Sequence, residues 1–360
     1  MTRRHVVLVT YGEPPDAGVP AQLRYSWRIL RGLTRTVADI PAWVMPLIAV
    51  TRTRMRSRRW RAEGYRSPLE AITRAQAIGL QSALARRAPA LEWRVHVAYE
   101  FRDPPLATVL DRIPADEPVE IVPMYVADSA FTHAIARATV ERWRRRGGRR
   151  RREVRVLPPL APEALAEVSA RQIAQEARTR GIATRQAALV LAAHGTLLEP
   201  ARPIDTGRVA TERVAAAIAI RLAGEFGMIV HGWLNHLYGG PWTEPPIDVA
   251  LRRVAEAGYR RVVYFPFGFI ADNAESELEG RIALRTQSSL EAVHLPCLNE
   301  SPALLDLLAG ALARSAEEKP GDRHPGPPVA VHPRFWPGAR GRAPTGRSGP
   351  RGASDPSRDP

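Results

Sequence analysis

The chain has 360 residues, of which 45% are hydrophobic, so it can bury a large core, most simply as two domains. Its net charge of +15, from 52 basic and 37 acidic residues, indicates an anionic partner: nucleic acid, a lipid surface or a polyacidic small molecule. Its single cysteine, Cys297, excludes an internal disulfide, a four-cysteine zinc site and a cysteine-ligated iron–sulfur cluster.

Eight apolar segments, separated by helix-like stretches, are predicted as buried strands. They lie at 5–12, 93–101, 119–126, 154–160, 187–195, 228–234, 260–269 and 292–298. Strands that alternate with helices predict βαβ units and parallel sheets. The segment at 6–12 also matches the segment at 189–195 in pattern, and two later pairs of segments match in the same order. The sequence therefore predicts two similar α/β domains that face each other across a cleft.

Two features bear on location. A single cysteine is typical of a protein of the reducing cytoplasm, and the segment 1–5 leads straight into the first strand, so we expect no signal peptide. The apolar stretch 40–50 contains two prolines and is too short to span a bilayer. We expect a cytoplasmic protein whose membrane contact, if any, is peripheral and at the inner face.

Two arginine-rich runs, at 52–61 and 142–152, hold much of the positive charge. Because an apolar stretch precedes the first run, residues 40–61 are compatible with a lip that dips into a membrane interface, or with an ordinary solvated basic helix. Neither run has the interleaved aromatic residues of a single-strand nucleic-acid groove, so we expect no nucleic-acid partner. The segment 320–360 is rich in Pro, Gly and Arg and is predicted to be disordered.

Two side chains that follow apolar strands are candidates for chemistry. His194 ends the run at 189–193, at the edge where open α/β sheets bind ligands, although it could instead cap the strand. Glu275 follows the seventh strand, where Asp272 is predicted as the N-cap of a helix and Glu275 completes a capping box. If His194 and Glu275 share a cleft, they form either an exchangeable divalent-metal site or a general base oriented by an acid. The residues alone leave both open.

Eight further motifs occur in order along residues 5–313. They are VTYGEPP at 9–15, the first-helix segment at 24–32, SPLEAITRAQ at 67–76, PMY at 123–125, AH at 193–194, PWTEP at 241–245, FPFGFIADNAE at 265–275 and CLNESP at 297–302. Together they resemble the motifs of ferrochelatases, the enzymes that insert ferrous iron into a porphyrin.

This resemblance implies the chelatase fold, with two Rossmann-like domains that each contain a four-stranded parallel sheet flanked by helices. The domains would cover residues 1–157 and 158–300, with a last helix at 301–316 that packs back on the first domain. The resemblance also implies ferrous iron as a substrate, no tightly bound cofactor and no iron–sulfur cluster.

The resemblance further assigns roles to residues. His194 and Glu275 would face each other across the porphyrin cleft as catalytic groups and, with Glu279, would serve the metal. The other wall would contribute Tyr11, Tyr25, Arg59 and Ser67 to substrate binding, with Arg59 and Ser67 near the porphyrin propionates.

Some residues depart from the family pattern. Asn273 stands where the Asp-His-x-Glu motif has its histidine, and Arg281 occupies an aspartate position. Two alternatives therefore stay open: a chelatase for another tetrapyrrole or metal, such as cobalt or nickel, and a non-catalytic porphyrin or haem carrier. Tyr11 and the first helix favour coproporphyrin III as substrate, whereas the Cys297 segment and the apolar lip favour protoporphyrin IX.

Overall fold

The computed structural model of the protein describes residues 2–36, 41–147, 153–236 and 240–317. The predicted disordered tail at 320–360 lies outside the described residues, as does the end of the arginine run at 142–152.

The first half of the described chain alternates strands with helices. Its strands and helices are β1 (Thr2–Thr10), α1 (Val19–Thr36), α2 (Met45–Ala62), α3 (Leu69–Arg87), β2 (Leu91–Tyr99), α4 (Leu106–Arg112), β3 (Val119–Pro123), α5 (His133–Arg145) and β4 (Val154–Val156).

The second half repeats the alternation of strands and helices. It contains α6 (Pro162–Thr179), a 3-10 turn (Thr184–Gln186), β5 (Ala187–His194), α7 (Arg208–Arg221), β6 (Met228–Leu234), α8 (Ile247–Glu256), β7 (Arg261–Phe265), a π-helix (Ala274–Glu279), α9 (Gly280–Arg285), β8 (Glu291–His294) and α10 (Pro302–Glu317).

The eight strands form two four-stranded sheets, with the orders β2-β1-β3-β4 and β6-β5-β7-β8, and every pairing is parallel. The identical order confirms the predicted likeness of the two halves. In each sheet the first strand of the half, β1 or β5, lies inside, where both of its faces are covered. This is why these two strands are unbroken apolar runs, with residues 6–9 and 187–193 all at most 1% exposed.

The observed strands end earlier than the sequence predicts in several places. β7 ends at Phe265 rather than at residue 269 because Pro266 has no N–H to donate to a neighbouring strand. β4 ends at Val156, two residues before Pro158. The chain nevertheless continues along the sheet after β7, where the Gly268 N–H donates to the Ala192 carbonyl at 3.1 Å.

The helix α10 lies in a hydrophobic core that both halves share. Its leucines Leu304, Leu305, Leu308 and Leu312 belong to one buried cluster with side chains of α3, α6, β1 and β5. The last helix therefore packs against α3 of the first half. The domain boundaries at 157 and 300 stay a prediction. Within the described residues, no helix combines the length and the apolar character that a membrane span requires.

Candidate functional site

His194 is the last residue of β5, and the seven strand residues before it are buried. The strand therefore holds the imidazole at the carboxyl edge of the second sheet, where the chain turns at Gly195. Its Nδ1 atom lies 2.9 Å from Oε2 of Glu275. Each side chain is partly covered, with 43% of the His194 side chain and 33% of the Glu275 side chain exposed. The structure brings the two candidates of the second half into direct contact.

Glu275 lies in the first turn of the π-helix, and the cap of that helix differs from the prediction. Asn273 is the N-cap: its Oδ1 accepts hydrogen bonds from the backbone N–H groups of Glu275 (2.8 Å) and Ser276 (3.2 Å). The Ser276 hydroxyl accepts in return from the Asn273 N–H at 2.9 Å. The predicted capping box of Asp272 and Glu275 is therefore wrong, and the Glu275 side chain takes no part in capping.

Asp272 cannot cap the helix because its carboxylate is engaged elsewhere. One oxygen accepts from the Cys297 N–H at 2.9 Å, and the other accepts from the Asn299 side-chain amide at 2.7 Å. These bonds fasten the strand-to-helix connection after β7 to the loop after β8. They fix the backbone from which Glu275 projects towards His194.

Electrostatics favour an ion pair between His194 and Glu275. Burial alone would lower the pKa of His194, but the charge of Glu275 and the hydrogen bond to it raise that pKa above its ordinary value. Burial also acts to raise the pKa of Glu275, yet the charge of His194 and its hydrogen bond outweigh this and bring the Glu275 pKa to about 2. Glu275 therefore stays ionised at every pH at which the protein is expected to work.

A second histidine, which the sequence analysis missed, lies beside this pair. Nε2 of His236 is 3.7 Å from Oε1 of Glu275, and the rings of His236 and His194 are 5.3 Å apart at 62°. One ligand atom from each of these three residues lies within 4.8 Å of the others. The sequence could have indicated His236 as a site residue, because it lies two residues beyond the end of β6, at the same sheet edge as His194.

A short loop positions both imidazoles. The indole of Trp242 meets the rings of His194 (6.4 Å) and His236 (5.4 Å) edge to face, at 89° and 84°. The side-chain amide of Asn235 donates to the Thr243 carbonyl at 2.8 Å. A side chain at Gly195 would collide with Asn235, since a Cβ there would lie 1.8 Å from its Oδ1. Glycine is thus required where the ends of β5 and β6 converge.

The opposite wall is built from the segment after β1 and from α1 and α2. Tyr25 is buried, and the guanidinium of Arg56 lies over its ring at 4.7 Å and over the ring of Trp60 at 5.1 Å. Burial raises the pKa of Tyr11 well above its usual range, and the charges of Glu13 and Glu275 raise it further. The predicted substrate residues Tyr11 and Tyr25 therefore lie within electrostatic reach of Glu275.

The Ferrochelatase family model matches residues 3–316. The chain belongs to the ferrochelatase family. Curated ferrochelatases from Phenylobacterium zucineum and Xylella fastidiosa are each 28% identical to it, over 85% and 86% of this chain and 83% and 97% of their own length. A ferrochelatase from Bradyrhizobium diazoefficiens is 26% identical over 87% of this chain and 93% of its own.

Solved structures show the same fold at lower identity. CbiX, described as the terminal enzyme for biosynthesis of siroheme in denitrifying bacteria, superposes with a TM-score of 0.50 at 18% identity, over 87% of this chain and 99% of its own. DR2241 from Deinococcus radiodurans, described as similar in structure to chelatases, also gives 0.50, at 17% identity, over 88% of this chain and 56% of its own. These likenesses confirm the predicted chelatase fold.

Three residues that the ferrochelatase resemblance singles out already have protein partners in the structure. Arg59 forms an ion pair with Glu279, with 2.8 Å between Nη2 and Oε2. Glu279 thus lies outside the cluster of His194, His236 and Glu275, and its role as a metal ligand stays a prediction. The Ser67 hydroxyl donates to the carboxylate of Glu13. The propionate-binding roles of Arg59 and Ser67 also stay predictions.

Glu13 was not foreseen from the sequence, and it joins the two walls of this ferrochelatase-family cleft. Its side chain is 1% exposed and accepts a hydrogen bond from the backbone N–H of Ala274 at 3.1 Å, next to Glu275. Arg56 lies 3.8 Å away. Burial raises the pKa of Glu13 to about 7, although Arg56 and the hydrogen bonds act to lower it.

The protonation of Glu13 gives a testable pH dependence of stability. Because the pKa is raised on folding from 4.5 to about 7, the folded state holds this proton more tightly than the unfolded chain. The stability that Glu13 contributes is therefore fully present below pH 4.5 and is lost as the pH rises through 7, a change of about 3 kcal/mol.

We expect Glu13→Gln to remove this loss, so that the variant gains stability relative to the wild type between about pH 5 and about pH 8. Denaturant unfolding at the two pH values measures the difference. Glu141→Gln, a change in an exposed carboxylate of α5, serves as the control and should show no such gain. An equal pH dependence in wild type and Glu13→Gln would contradict the assignment.

Proposed function

We propose that this chain is a ferrochelatase that inserts ferrous iron into a porphyrin, with His194 and Glu275 as the groups that act on the metal and the pyrrole protons. The observation that carries the proposal is the contact of 2.9 Å between these side chains at the carboxyl edge of the second sheet. Membership of the ferrochelatase family supplies the reaction, and porphyrin and iron as substrates.

The chemistry requires that two pyrrole protons leave the porphyrin as iron loses its water ligands and binds the four ring nitrogens. In this proposal the neutral imidazole of His194 accepts a pyrrole proton, and a positioned base of this kind is typically worth on the order of 10²–10⁴-fold in rate. Glu275 holds the imidazole through Nδ1 and offsets the charge of the metal. Bending the macrocycle exposes its nitrogen lone pairs, at a typical strain of about 1–5 kcal/mol.

The wall of α1 and α2 suits the anionic edge of a porphyrin. Arg52 is partly buried near Arg56, and the burial together with that neighbouring charge lowers its pKa. A carboxylate brought beside Arg52 would relieve this repulsion, and arginine pairs with carboxylates through two parallel hydrogen bonds. Arg56 already has Glu13 as a partner. We therefore place the porphyrin propionates towards Arg52 and the exposed part of Arg59.

The same wall supports a peripheral membrane contact through residues 40–61. Trp43, Leu47 and Met55 are 82%, 68% and 56% exposed, and arginines lie between and after them. Apolar side chains flanked by arginines suit the boundary between acyl chains and anionic headgroups. We further propose that the protein carries no resident cofactor and no iron–sulfur cluster, since one buried cysteine cannot hold one, and that it has no nucleic-acid partner.

The test is an anaerobic assay in which Fe²⁺ is mixed with the protein and either protoporphyrin IX or coproporphyrin III. Conversion of the free-base absorption spectrum into that of the metallated ring, at a rate above that of the protein-free mixture, is the expected result. Insertion of Co²⁺ or Ni²⁺ but not Fe²⁺ would contradict iron as the substrate. Stoichiometric haem binding without turnover would show a carrier and contradict the enzyme.

A further inference from the structure

The histidine that the family motif has at position 273 is Asn273 in this chain, but another histidine, His236, lies beside Glu275. Asn273 is 1% exposed, and its amide is engaged: Oδ1 accepts two hydrogen bonds as the cap of the π-helix, and Nδ2 donates to the Ala271 carbonyl at 2.8 Å. It has no group left for a metal. His236, which follows the end of β6, approaches the Oε1 atom of Glu275 at 3.7 Å.

We propose that His236 is a metal ligand of this chain, which with His194 and Glu275 completes a two-histidine, one-carboxylate face for a divalent first-row metal ion. The inference deepens the proposed function, because it gives the metal a binding place before it enters the porphyrin. It rests on the proposed function for its purpose, but its measurement does not require turnover.

The distances fit a shared ion. Metal–nitrogen and metal–oxygen bonds of about 2.0–2.2 Å place neighbouring ligand atoms on the order of 3 Å apart. The His194–Glu275 and His236–Glu275 separations are 2.9 and 3.7 Å, and the three ligand atoms all lie within 4.8 Å of one another. The two imidazoles approach different oxygens of Glu275, Oε2 and Oε1, so each oxygen has one imidazole near it.

The surroundings of His236 hold it in place. The preceding residue, Asn235, is tied to Thr243, whose backbone N–H donates to the Thr196 carbonyl at 3.0 Å. Trp242 contacts both imidazole rings edge to face. The ends of β5 and β6 and the loop at 241–243 are thus one hydrogen-bonded unit. A metal ion would not have to order a loose side chain in order to recruit His236.

The ligand set indicates which metals the site takes. Imidazole suits iron, cobalt, nickel and zinc, whereas Mg²⁺ and Ca²⁺ prefer oxygen ligands. Three ligands on one face leave the remaining coordination positions open, so an ion held there keeps exchangeable waters. Such an ion can leave the protein ligands one at a time as ring nitrogens replace them.

The test is the binding of Co²⁺ alone to the porphyrin-free protein, measured through the visible absorption of the cobalt ion. We expect His236→Ala to raise the Kd for Co²⁺ by about tenfold or more, since even residues that only support a ligand typically contribute 10–100-fold. His194→Ala should weaken Co²⁺ binding as well. His96→Ala, which removes a half-buried histidine of the first sheet, is the matched control and should bind Co²⁺ as the wild type does.

Because the His236 side chain is 52% exposed, we expect the variant to fold, and its circular dichroism and its porphyrin binding check this. In the iron assay, His236→Ala should raise the KM for Fe²⁺ and leave the KM for porphyrin unchanged. An unchanged Kd for Co²⁺ in a folded His236→Ala protein would overturn the inference. If the wild type binds Co²⁺ through His236 but metallates no porphyrin, the proposed function fails and the metal site stands.

Discussion

Iron insertion is expected to fall by a factor on the order of 10²–10⁴ when His194 is replaced by alanine, whereas porphyrin binding should persist. The imidazole of His194 lies at the sheet edge, and its Nδ1 atom is 2.9 Å from the ionised carboxylate of Glu275. Its removal leaves Glu275 without its hydrogen-bonding partner and the pyrrole protons without the base that is proposed to accept them. The wall of α1 and α2, which is proposed to bind the porphyrin, does not depend on it.

Two measurements separate these effects in His194→Ala. The initial rate of Fe²⁺ insertion under anaerobic conditions reports the reaction, and the quenching of protein fluorescence by metal-free porphyrin reports binding. Loss of both would indicate a damaged cleft, which His96→Ala, as a histidine deletion distant from it, should not reproduce. Insertion at the wild-type rate by His194→Ala would eliminate the role proposed for the imidazole.

The second large effect is expected for Glu275→Gln, an isosteric change that removes the negative charge. We expect roughly a 10²-fold loss of insertion together with a change in pH profile. Burial lowers the pKa of His194, and the charge of Glu275 and its hydrogen bond raise it. Without that charge, burial prevails and the pKa falls below its ordinary value. Since the neutral imidazole is the active form, the acid limb of the profile should move to lower pH.

Glu277→Gln is the matched control for Glu275→Gln, because Glu277 lies two residues along the same π-helix. The charged groups near its carboxyl are Asp272 and Arg281 rather than His194. Its pH profile and rate should stay close to those of the wild type. The coupling of His194 to Glu275 would be contradicted if the acid limb of the pH–rate profile did not move in Glu275→Gln. It would also be contradicted if that limb moved equally in Glu277→Gln.

Much of the fold was readable from the sequence because it depends on local patterns. The unbroken apolar runs of β1 and β5 predict strands buried on both faces, and all eight predicted strands occur in the two sheets. The strand ends were less readable, as at Phe265, where a proline stops the hydrogen-bonding ladder before the apolar run stops. The position of α10 came from the family resemblance, since its contacts with α3 lie more than 200 residues away in the chain.

The candidate site could be predicted only in part from the sequence. His194 and Glu275 could be paired because each follows a buried strand. The cap of the π-helix could not be predicted, because the competing partners of Asp272, the Cys297 N–H and Asn299, are supplied by tertiary structure. Glu13 was missed for the same reason: its partner, the Ala274 N–H, is 261 residues distant.

The most direct test of this account is a crystal structure of the protein with metal-free porphyrin bound. We predict that the macrocycle lies between the wall of Tyr11 and Tyr25 and the edge of the second sheet, with the imidazole of His194 over one ring face. The carboxylate of Glu275 should lie behind the imidazole and not against the ring. A porphyrin bound on another surface, or in the cleft with His194 turned away from its pyrrole nitrogens, would contradict the account.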